Sequence, residues 1–183
     1  MKIYPTPIEG CIVIEPAFFK DERGFFFESY NQRKFEEMTG HTTPFVQDNQ
    51  SWSKKGVLRG LHMQKGSSAQ TKLVRVLKGE VLDVAVDLRP SSKTFGQHHS
   101  VRLSEENFLQ FLIPRGFAHG FVVLSDGAMF QYKCDNYYDR DAELGVNYAD
   151  PELAIDWLFP HDQLIVADKD LELPNLDAIM DKL

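Results

Sequence analysis

The chain has 183 residues, 43% of them hydrophobic, with a formal net charge of −7 at pH 7. That length fits one domain spanning residues 1–183, with a core to which 14 phenylalanines contribute. Such an acidic chain argues against nucleic-acid and acidic-membrane partners, and no apolar run is long enough to span a bilayer. Any anionic ligand must therefore be met by local cations. The N-terminal MKIYPTPIEG lacks an apolar leader, so a soluble cytoplasmic protein is expected. Cys11 and Cys134 sit in apolar runs and are expected as buried free thiols, not a disulfide.

In chain order, residues 11–19 (CIVIEPAFF) form an extended run that ends at Asp21-Glu22-Arg23-Gly24, and FFFESY follows. Residues 31–39 (NQRKFEEMT) form the clearest helix: Asn31 can cap it, Phe35 and Met38 share a face, and Gly40 can end it. FVQDNQSW, VLRGLHMQ, KLVRVL, EVLDVAVDL, SVRL, FLQFLI, GFVVL and AMFQYKC then read as short strands. Lys78-Gly79 and, more strongly, Asp126-Gly127 read as hairpin turns. From about residue 150 the pattern is looser, with room for one or two short helices. Regularly spaced short strands predict an all-β antiparallel sandwich, jelly roll or barrel.

Alternation selects the inward side chains. Phe130, Tyr132 and Cys134 share an apolar face, while Gln131 and Lys133 point away. Lys72 has the parity of Val74 and Val76, His119 that of Phe117 and Phe121, and Gln47 that of Asn49. Polar groups thus recur on faces otherwise apolar, which predicts a lined pocket. Arg59 and His62 differ in parity, so both reach the pocket only if the strand bulges between them, at Gly60.

Each candidate has a plain and a chemical reading. A lone His62 is more often a satisfied core histidine, yet it can act as a general base near neutral pH. As a metal ligand it lacks company: position 64 is Gln, no carboxylate follows closely, and His98 and His99 face opposite sides of a strand. Tyr132 can be packing or a general acid. Lys72 can snorkel to the surface or stabilise an oxyanion. Arg23 and Arg59 can be surface charges or a phosphate clamp. Asp170 reads as part of a solvated charge run unless it folds back to orient His62.

The blocks DERGFFFESYN (21–31), FVQDNQS (45–51), VLRGLHMQ (57–64), KLVRVLKGEVLDVAVDLR (72–89), IPRGFAHGF (113–121), YKCDNYY (132–138) and ADKD (167–170) extend these readings. In order and length they resemble the dTDP-4-dehydrorhamnose 3,5-epimerase family across residues 3–180. The resemblance implies a cupin-like jelly-roll barrel with a few short peripheral helices. It implies a homodimer with no metal and no cofactor, acting on a dTDP-sugar in dTDP-L-rhamnose biosynthesis. IPRGFAHG also fits the generic cupin Pro-x-Gly-x-x-His, while the metal-binding His-x-His is absent.

By the same resemblance, His62 is the catalytic base, Asp170 its orienting partner, Tyr132 the acid and Lys72 the enolate stabiliser. His119 is similar to a substrate-pocket histidine. Arg23, Glu28, Gln47, Asp48, Asn49, Arg59, Glu143 and Lys169 stand where the family contacts the nucleotide sugar, and Tyr138 resembles an aromatic beside the nucleotide. Three alternatives stay open: an epimerase of C3 alone or C5 alone, a non-catalytic sugar-nucleotide-binding cupin, and a metal-dependent cupin oxygenase or isomerase.

Overall fold

The structure, a computed structural model, describes residues 1–183. Its strands are β1 (Lys2–Pro5), β2 (Ile12–Glu15), β3 (Phe18–Asp21), β4 (Gly24–Phe27), β5 (Gln47–Lys54), β6 (Val57–Gln64) and β7 (Lys72–Lys78). They continue with β8 (Glu80–Asp87), β9 (His98–Ser104), β10 (Gln110–Ile113), β11 (Phe117–Val123), β12 (Gly127–Cys134), β13 (Glu143–Gly145) and β14 (Ile165–Val166). Two short helices, α1 (Gln32–Thr39) and α2 (Asp168–Leu171), and a few 3₁₀ turns complete the chain. No helix is long and apolar enough to cross a membrane.

One sheet runs β1-β2-β10-β7-β12-β5 and the other β13-β6-β11-β8-β9, with β14 added alongside β6. From β5 to β8, and again from β9 to β12, each strand lies in the sheet opposite its predecessor. This is the cupin-like jelly roll expected from the sequence. Lys78-Gly79 and Asp126-Gly127 are therefore not hairpin turns: they carry the chain between sheets. Turn chemistry specifies a reversal, not the strand's partner. The two turns nest together, since a Cβ on Gly79 (φ +78°) would lie 2.1 Å from the Gly127 carbonyl. The run 11–19 also divides at Pro16, β2 joining the first sheet while β3 pairs only with β4.

Alternation places the main core between the sheets, where Val74, Val76, Phe111 and Phe130 meet Val81, Ala85, Phe117 and Phe121. A second core covers the outer face of the other sheet, where Leu58, Leu82, Val84 and Val122 pack against Leu153, Ile155, Trp157 and Ile179. Trp157 is 1% exposed, and its indole N–H donates to the Tyr148 carbonyl at 2.9 Å. Side chains of this size each contribute about 1.5–3 kcal/mol on burial, which fixes the irregular C-terminal segment. The predicted helix is α1: Asn31 accepts from the Lys34 N–H, Gly40 closes it in the left-handed region, and Phe35 docks on Ile14, Leu73 and Leu112. Cys11 and Cys134 are buried free thiols.

Candidate active site

Between the sheets the apolar packing gives way to a cavity of about 540 Å³, continuous through His62, Lys72 and Tyr132 with a more polar lobe of about 410 Å³. Its shape begins with β6. His62 pairs with His119 of β11, but Arg59 pairs with Phe121, so β6 uses one residue more than β11 over this stretch. That is the bulge expected at Gly60, and it turns Arg59 and His62 to the same cavity. Gly60 adopts φ +122°, and a Cβ there would meet the Gly120 Cα at 2.6 Å. The bulge exists because two glycines let their backbones touch.

His62 Nε2 lies 2.7 Å from Asp170 Oδ1. The Gly60 N–H donates to Asp170 Oδ2 at 3.2 Å. With the carboxylate accepting Nε2–H, Nδ1 is left as the basic nitrogen, and it has no protein partner. Asp170 is 2% exposed. Burial opposes its ionisation, yet the hydrogen bonds from His62 and Gly60 outweigh this and hold its carboxyl below the ordinary aspartate value.

Tyr132 enters the cavity from β12, in the sheet facing β6. Burial is the main cause that pushes its phenol up, so it stays protonated at neutral pH. Lys72, on β7, donates from Nζ to the His62 carbonyl at 3.4 Å. Burial lowers its ammonium below the usual lysine value, with Asp83 and Glu143 among the charges acting the other way. A stack of His119, Phe130 and Phe121 forms the apolar wall, with ring centroids 6.0 and 4.3 Å apart in turn. His119 Nε2 sits 2.9 Å from Asp83 Oδ2; burial dominates and keeps this imidazole neutral.

Toward the polar lobe, Gln47 donates to Asn49 at 3.1 Å and accepts the Tyr138 N–H at 3.1 Å. The Tyr138 hydroxyl donates to Glu143 at 2.6 Å, and Lys169 reaches the same carboxylate at 3.3 Å. Burial opposes ionisation of Glu143, but Tyr138 and Lys169 together lower its carboxyl. At the other rim Arg59 donates from Nε to Ser53 Oγ at 3.1 Å. No three or more His, Cys, Asp or Glu side chains converge where they could hold a metal ion.

The structure thus gathers His62, Tyr132, Asp170, Lys72, Gln47, Asn49, Arg59, His119, Tyr138, Glu143 and Lys169 around one cavity. Three expected residues stand apart. Asp48 points outward and pairs with Lys133 at 2.9 Å; the alternation that turns Gln47 and Asn49 inward requires this. Arg23 pairs with Asp21 on the β3–β4 ribbon, and Glu28 pairs with Lys34 at 3.0 Å, both away from the cavity. Sequence reasoning missed Asp83, although its parity with Val81 and Ala85 marks an acid inside the barrel.

Comparison with known proteins agrees with this geometry. The profile of the family described as dTDP-4-dehydrorhamnose 3,5-epimerase matches residues 5–178. The chain is 51% identical over 181 residues to the dTDP-4-dehydrorhamnose 3,5-epimerase of Escherichia coli K12, covering 98% of this chain and 97% of that one. A crystal structure of dTDP-6-deoxy-D-glucose-3,5-epimerase from Legionella pneumophila, in complex with dTDP-4-keto-L-rhamnose, superposes with a TM-score of 0.95. It is 51% identical, over 99% of this chain and 95% of that one. A 3'-monoepimerase from Streptomyces bikiniensis, bound to dTDP-quinovose, has a TM-score of 0.90 at 32% identity, over 98% and 90% of the two chains. With its fold, cavity and sequence all in agreement, the chain belongs to the dTDP-4-dehydrorhamnose 3,5-epimerase family.

Proposed function

We propose that this protein epimerises dTDP-4-dehydro-6-deoxy-D-glucose at C3 and C5, giving dTDP-4-dehydro-L-rhamnose. The C4 ketone acidifies the protons on both neighbouring carbons, because the carbanion delocalises onto oxygen. Inversion requires a proton to leave one face of the ring and another to arrive at the opposite face. One observation carries the reading: the His62 imidazole on one sheet and the protonated Tyr132 phenol on the facing sheet line the same cavity.

In this reading His62 Nδ1 removes the proton, and Asp170 steadies the imidazolium that forms. Lys72 stabilises the enolate oxygen, the kind of contribution worth about 3–4 kcal/mol in the barrier. Tyr132 delivers the new proton. His119, Gln47 and Asn49 hold the sugar, Tyr138 lies beside the nucleotide, and Arg59 and Lys169 offset the diphosphate charge inside an acidic protein. No cofactor enters the chemistry.

Arg23 and Glu28 contribute in a homodimer. They sit beside or on an aromatic ribbon whose Phe26 is 71% exposed, and a second copy would cover that ribbon and receive both side chains in its own cavity. Residues 1–183 serve as a single catalytic unit in the cytoplasm.

Incubation with the 4-keto sugar nucleotide in deuterated water, followed by proton NMR, tests the function. Deuterium at both C3 and C5 with L-rhamno product is expected; no exchange at either carbon refutes it. The likeness to a 3'-monoepimerase gives the second reading, which exchange at C3 alone would establish.

A further inference from the structure

Among the cations at the cavity, Arg59 differs from Lys169 in having no anionic partner, as none of the arginine ion pairs includes it. Its Nε is nevertheless tied to Ser53 Oγ at 3.1 Å, while its two terminal nitrogens have no protein acceptor. Ser53 is 4% exposed and lies on β5, in the first sheet; Arg59 lies on β6, in the second. The hydrogen bond therefore bridges the two sheets at the cavity rim, just beyond the reversal that joins these strands.

A guanidinium grips phosphate oxygens in bidentate fashion through paired N–H groups in one plane. Binding is tighter when that plane is fixed before the ligand arrives, since less side-chain freedom is lost. A carboxylate partner would fix the plane too, but would compete for the terminal nitrogens and cancel the charge. A hydroxyl on Nε fixes the plane and leaves both intact.

We propose that Ser53 is a positioning residue for the diphosphate: its hydroxyl holds Arg59 so that both terminal nitrogens face the ligand's phosphates. This rests on the nucleotide-sugar reading above, and deepens it by naming the residue that pre-sets the phosphate clamp.

Titration calorimetry with dTDP and with thymidine, on the full-length protein, tests the proposal. Ser53→Ala should weaken dTDP about fivefold, the usual scale for one lost hydrogen bond, and leave thymidine unchanged. In turnover, KM should rise by about the same factor while kcat stays within about twofold. In an Arg59→Lys background, which lacks Nε, Ser53→Ala should add nothing. The proposal is overturned if Ser53→Ala binds dTDP like wild type, weakens thymidine equally, or keeps its effect in the lysine background. Wild type that binds dTDP but fails to epimerise refutes the parent reading and leaves this one standing; wild type that ignores dTDP ends both.

Discussion

Asp170→Asn isolates the charge behind the base while keeping its shape. In the wild type the carboxylate sits 2.7 Å from His62 Nε2 and is 2% exposed, so in the proposed mechanism the imidazolium forms against a fixed, poorly hydrated anion. Unit charges about 4 Å apart interact by about 4 kcal/mol at an effective dielectric of about 20. An amide oxygen recovers only part of this, leaving a loss of about 3–4 kcal/mol in the transition state. At about 1.4 kcal/mol per decade, kcat should fall by two to three orders of magnitude. Because Asp170 meets the imidazole and not the nucleotide, dTDP affinity should stay within about twofold. Steady-state turnover of the 4-keto sugar nucleotide measures the first quantity and calorimetry with dTDP the second. A variant retaining more than about one third of wild-type kcat would refute the role given to this pair.

Other substitutions probe other links. Tyr132→Phe should retain deuterium wash-in by His62 while net inversion falls by about 10²–10⁴, read by NMR of the substrate and product pools. Gly120→Ala places a Cβ 2.7 Å from the Arg59 carbonyl; overpacking of about 1–3 kcal/mol should lower the melting temperature by roughly 5 °C and reduce kcat as the bulge shifts. Asp87 is buried, yet Arg89, Ser92 and Thr94 overcome the burial and lower its carboxyl from 3.8 to about 2. Because the folded value is the lower one, its stabilisation is complete above about pH 5, amounts to about 2 kcal/mol, and disappears as pH falls toward 2. Urea unfolding of Asp87→Asn should therefore show a deficit of about that size at pH 6 that narrows below about pH 5; a deficit independent of pH would contradict the assignment.

What the sequence made legible was whatever period two controls. Lys72 reads inward because Val74 and Val76 do, His119 because Phe117 does, and the mismatch between Arg59 and His62 locates the bulge at Gly60. Helix α1 was legible from its caps. Strand partners were not, because a turn such as Asp126-Gly127 is chemically the same whether it closes a hairpin or changes sheet. The tie between His62 and Asp170 was beyond spacing arguments, and only resemblance supplied it. The same holds in reverse for Asp48: resemblance placed it at the ligand, while the parity of its own strand, plain in Gln47 and Asn49, turned it outward. Ser53 carried no signal at all, since a serine in a strand is ordinary until its neighbour across the gap is known.

The crossing of the chain between sheets also bears on how the molecule forms. Neighbours in space are mostly distant in sequence, so the barrel must gather remote segments before any of them is rewarded, which places folding on the slow, millisecond-to-second side. His62 and Asp170 are 108 residues apart, and α2 packs against β6. Recovery of enzymatic activity after dilution from denaturant should accordingly trail recovery of β-sheet circular dichroism, making the contact between His62 and Asp170 a reporter for the last segment to arrive.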